Sequence, residues 1–85
     1  MPSQCVVVGS SVGLHARPAA IISEAAADLD SDVFIGIPGD TPVDASSALM
    51  IMTLGAGAGD TVEVSGDDEG DVATIVALVE KDLDA

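Results

Sequence analysis

The chain has no Trp and no Tyr, and only one Phe, so its core has to be assembled from small aliphatic side chains, chiefly Ala and Val. Its one cysteine, Cys5, excludes an internal disulfide and a cysteine-built metal site. Within a Val-rich stretch that thiol reads as a small buried hydrophobe in preference to a redox group. Long apolar runs are also missing. The run from Ala48 to Leu54 is broken by Thr53 and is far shorter than the roughly 20 residues a membrane-spanning helix needs. The N-terminal segment lacks the basic start of a signal peptide, and a cytoplasmic location is expected. Positive charge is scarce: Arg17 and Lys81 stand against fifteen acidic residues, for a formal net charge of -13. A chain so charged repels nucleic acid and anionic membranes, so neither a nucleic-acid partner nor membrane insertion is expected. Few lysines and many Asp fit a high-salt cytoplasm, where screening lengths shrink to about 3 Å at 1 M.

Enough apolar residues recur with regular period to exclude a disordered acidic chain, and 85 residues are expected to form one domain over 1–85. Gln4 to Gly9 is short and β-branched and predicts a strand. Ala16 to Leu29 carries Ala19, Ala20, Ile22, Ala26 and Leu29 at helical spacing. Val33 to Ile37 predicts a second strand, Pro38-Gly39-Asp40 a turn, and Thr41 to Ala45 a weaker third strand. Pro42 places that third strand at a sheet edge, because it cannot donate to a ladder. Ser47 is a candidate N-cap for a two-turn helix from Ala48, and Gly55 is its stop. Thr61 to Ser65 alternates as a fourth strand. A last helix is predicted from about Asp67 to Leu83, with Val72, Ile75, Val76, Val79 and Leu83 on its apolar stripe. The order βαββαβα predicts an α+β open-faced sandwich: a four-stranded antiparallel sheet with three helices on one face and the other face wet.

Chemistry concentrates in Gly13-Leu14-His15-Ala16-Arg17-Pro18-Ala19-Ala20, which holds the chain's one histidine and one of its two cations. Histidine, with an ordinary pKa near about 6.5, can act as nucleophile, base or cation at neutral pH. Pro18 is tolerated only in a first helical turn, so a helix is predicted to begin at about His15. The free amides of that turn, the helix dipole and the Arg17 guanidinium then form an anion site with the imidazole inside it. An anion electrophilic at phosphorus would react there.

The segment from Gly13 to Ala19 resembles the active-site signature of HPr, the histidine-containing phosphocarrier family of the phosphoenolpyruvate:sugar phosphotransferase system. Ser47-Ala48-Leu49-Met50-Ile51-Met52-Thr53-Leu54-Gly55 resembles the family's second block, and length and element order agree along the whole chain. The resemblance implies a carrier rather than a free-standing enzyme, without a cofactor or a metal. It would take a phosphoryl group from phosphorylated Enzyme I onto His15, at Nδ1 by family precedent, and pass it to a IIA component or a related kinase. Arg17 and the helix start at Ala16 and Pro18 would steady the phosphoryl oxygens. Ala48, Leu49 and Met52 would form an apolar docking patch, kept flat by Ala16 and Ala20, and a monomer is expected. Ser46 and Ser47 both stand where the family has its regulatory serine, and alignment to Leu54-Gly55 favours Ser47, though a plain N-cap role stands beside that one; Leu49 and Met52 could equally be core. Val12 replaces the Ser or Asn that in many relatives helps orient the histidine. Docking lysines are absent, so partner contacts are expected to rest on apolar burial.

Other functions are conceivable. A regulatory homologue would bind partners without relaying phosphate. An acidic acyl carrier, with a prosthetic group on a serine, is faintly suggested by Asp44 to Leu49, but that family is all-helical and the alternating strands argue against it. The Asp67-Asp68-Glu69 cluster reads as a solvated helix start in preference to a calcium site.

Overall fold

The computed structural model describes residues 1–83. Its elements are β1 (Ser3–Val7), α1 (Ala16–Ala27), β2 (Val33–Gly36), β3 (Val43–Asp44), α2 (Ala48–Thr53), β4 (Thr61–Gly66) and α3 (Glu69–Glu80). The strands form one antiparallel sheet in the order β1-β4-β2-β3, with the helices on one face, as the βαββαβα order predicts. β3 is indeed an edge strand, and it is cut to two residues where Pro42 can offer no N–H.

Strand alternation sorts side chains between core and solvent. Val6 and Val8, Val33 and Ile35, and Val62 and Val64 point inward. They meet Ala19, Ile22 and Ala26 of α1, Ile51 of α2, and Val72, Ile75 and Val79 of α3. Each such Val or Ile contributes about 1.5–3 kcal/mol when fully buried, the main driving force in a core without aromatic rings. The same alternation overturns the buried reading of Cys5. Opposite Glu63 in the register, Cys5 faces solvent on the open side of the sheet, as does Val7.

Element ends differ from the predicted ones for local reasons. β1 starts at Ser3 and the chain leaves the ladder after Val8, because the Gly9 amide turns to the Val79 carbonyl of α3 (3.0 Å). α1 stops at Ala27, where the Asp28 and Leu29 amides bond three residues back, to Ala25 and Ala26, and tighten the last turn. Ala20, placed on the apolar stripe by spacing, is exposed. α3 begins at Glu69 and ends at Glu80, since Lys81 is extended (φ -80°, ψ 152°). Leu83 therefore lies beyond the helix, half-buried against the core.

Candidate functional site

The loop before α1 is built to present His15. Gly13 has φ 77°, and a Cβ there would lie 2.6 Å from the Ala56 carbonyl oxygen, so only glycine fits. Its N–H closes a turn onto the Ser10 carbonyl (3.0 Å), and the next amide, Leu14, donates to Ala56 (2.9 Å). The Leu14 side chain is buried in the core and the following residue is delivered at the surface. His15 is the N-cap of α1, with extended backbone (φ -84°, ψ -165°). Its carbonyl accepts the Ala19 N–H at 2.9 Å.

The imidazole caps nothing and has no hydrogen bond among the described residues. Of the first-turn amides, Ala19 is used by the His15 carbonyl and Pro18 has none, which leaves Ala16 and Arg17 without a protein acceptor among the described residues. Pro18 itself is fully buried and fixes the turn from inside. The Arg17 side chain is exposed and makes no ion pair among the described residues. Two open amides, the positive end of a 12-residue helix and a guanidinium unpaired among the described residues thus belong to the same helix start as an exposed imidazole.

Charge is segregated around this point. The first acidic residue in the chain is Glu24, and none lies between Asp44 and Asp60. These two carboxylate-free stretches are packed together, α1 on α2 and the His15 loop on residues 56–57. On α2 only Ile51 is fully buried; Leu49 is 68% exposed and Met52 38%, while Ala48 is half-buried against the core. Ala16 and Ala20 are exposed on α1. Met50, 42% exposed, enlarges the apolar surface of α2, and Val12 in the loop before His15 is 49% exposed. The signal for Met50 was available: a six-residue helix cannot bury an apolar residue at every position.

Ser47 caps α2, its Oγ accepting the Met50 N–H at 3.3 Å. Ser46 turns the other way and gives both its N–H (2.9 Å) and its hydroxyl proton (2.7 Å) to Asp44 Oδ1. The Ser46 amide, and then its hydroxyl, hold the Asp44 carboxyl below the usual carboxylate range. In the acidic cluster, Asp68 Oδ1 caps α3 by accepting the Gly70 and Asp71 amides (2.8 and 3.3 Å). A cavity of about 280 Å³ lined by Ala26, Leu29, Asp30, Asp32, Asp44 and Ser46, among others, shares no residue with the His15 site.

The family described as "PTS HPr component phosphorylation site" matches residues 2–81. The chain belongs to the HPr family. HPr proteins carry phosphoryl groups in the phosphotransferase system and work with its other components. Phosphocarrier protein HPr of Streptomyces coelicolor is 38% identical over 78 residues, 92% of this chain and 84% of that protein. Among solved structures, HPr from Thermoanaerobacter tengcongensis superposes with a TM-score of 0.87 at 28% identity, covering 100% of this chain and 98% of its own. HPr from Bacillus anthracis gives 0.83 at 31% identity, over 92% and 95% of the two chains.

Proposed function

We propose that this HPr protein takes a phosphoryl group from phosphorylated Enzyme I onto Nδ1 of His15 and passes it to a IIA component of sugar uptake or a related kinase. The observation that carries this reading is the exposed imidazole at a helix start whose Ala16 and Arg17 amides have no acceptor among the described residues. The Nδ1 lone pair attacks phosphorus while the bond from phosphorus to the donor breaks and its electron pair leaves with the donor, so a P–N bond to His15 replaces the donor's bond to phosphorus. Arg17 and the two amides hold the phosphoryl oxygens in both directions, and the second transfer reverses the first at a new acceptor. Leu49, Met52 and Ala48, with Ala16 and Ala20 leaving room, form the docking surface for both partners. Ser47 is the candidate regulatory phosphosite, because its Oγ already stands at a helix start.

The same reading has the carrier act as a monomer, without cofactor or metal, in a salt-rich cytoplasm. Thermal stability followed by circular dichroism then rises from low to molar KCl, because fifteen acidic side chains repel one another when unscreened. Incubation with labelled phosphoenolpyruvate and the Enzyme I of the same organism tests the central point. Acid-labile label on His15 is expected; unlabelled protein, or label retained in His15→Ala, overturns it.

A further inference from the structure

The loop that aims His15 is held from two sides. Residues 56–57 hold one side through Gly13 and Leu14. The end of α3 holds the other. Gly9 donates to the Val79 carbonyl, and a Cβ at Gly9 would overlap the carbonyl of Glu80, so the two backbones are in direct contact. Ser10, 1% exposed, comes next. Its hydroxyl donates to the Lys81 carbonyl (3.4 Å) and its Oγ accepts the Leu83 N–H (3.2 Å). Its own carbonyl accepts the Gly13 N–H that closes the turn before His15. One buried hydroxyl therefore joins that turn to a segment more than 70 residues away, acting as donor and as acceptor in doing so.

The imidazole has no side-chain partner among the described residues, and Val12 brings only methyl groups to the loop, so the ring's direction has to come from the backbone. We infer that Ser10 is a positioning residue for phosphoryl transfer, acting on His15 through its brace to Lys81 and Leu83. This rests on His15 being the phosphoryl acceptor. The brace lies beneath the loop and not on the apolar docking surface, so it governs the chemical step and leaves encounter with the partner alone.

The test is the rate of phosphorylation by Enzyme I and phosphoenolpyruvate, with the carrier as varied substrate. In Ser10→Ala, kcat falls about tenfold while KM stays within about twofold, since small misplacements of reacting groups are costly in rate. Circular dichroism at the assay temperature shows both proteins folded. Deleting residues 83–85 removes the Leu83 donor from the other end and reproduces the loss. The combined variant is no slower than either alone, as expected of two cuts in one linkage. A Ser10→Ala variant with wild-type kcat, a loss confined to KM, or losses that multiply in the combined variant overturns the inference. If Ser10→Ala does not fold, wild-type kcat in the truncated chain overturns it. Failure of the unaltered chain to be phosphorylated would instead overturn the reading of His15.

Discussion

Two helix starts in this molecule are closed and one is open. α2 is capped by Ser47 and α3 by Asp68, each side-chain oxygen taking amides that would otherwise point at water. α1 begins with His15, whose ring takes none, and the amides of Ala16 and Arg17 find no acceptor among the described residues. A good cap is worth about 1 kcal/mol, so an uncapped start on a 12-residue helix leaves stability unused. The closed starts serve the fold. The open one keeps its donors for a phosphoryl group that is only sometimes there.

Closing the open start is the strongest challenge to this contrast. His15→Asp supplies a cap oxygen and removes the nucleophile, so phosphorylation by Enzyme I is abolished while stability in denaturant rises by about 0.5–1 kcal/mol. Loss of phosphorylation without a gain in stability would mean that the start is not short of a cap. Arg17→Ala comes next: transfer slows about 10- to 100-fold at physiological salt, and the melting curve hardly moves, because the guanidinium has no partner among the described residues. Opening a closed start gives the converse. Asp68→Ala costs about 1 kcal/mol by urea denaturation and leaves the transfer rate unchanged. A slowed transfer there would break the division between the helix starts.

The smallest effect belongs to Asp44. Its folded carboxyl ionises at lower pH than in the unfolded chain, because the Ser46 amide and hydroxyl favour the charged form. That contribution is complete above the unfolded value near about pH 4 and is lost as pH falls through the folded value. Asp44→Ala should slightly flatten the acid limb of the stability–pH curve and lower stability a little at pH 7, where that contribution is complete. The effect stays small because the carboxylate is exposed.

Much of this was legible in the chain. Pro18 marked the start of α1 and Pro42 the sheet edge, because proline fixes its own φ and lacks an N–H, and Ser47 marked the cap of α2, because its hydroxyl can take a first-turn amide. Cys5 was misplaced because Cys5-Val6-Val7-Val8 has no polar member to show which parity faces the core. The end of α3 was overrun because nothing between Glu80 and Leu83 stops a helix locally; the helix ends where Ser10 engages the Lys81 carbonyl. The open amides of Ala16 and Arg17 could be foreseen from Pro18 and the position of His15. The brace behind them could not, since it joins residues from opposite ends of the chain.

Amide NMR on the 15N-labelled protein before and after phosphorylation tests the central claim most directly. Phosphate on His15 should carry the Ala16 and Arg17 amide protons downfield, while the capped amides of Met50, Gly70 and Asp71 stay in place. Phosphorylation that leaves Ala16 and Arg17 unmoved would show that the open helix start does not hold the phosphoryl group.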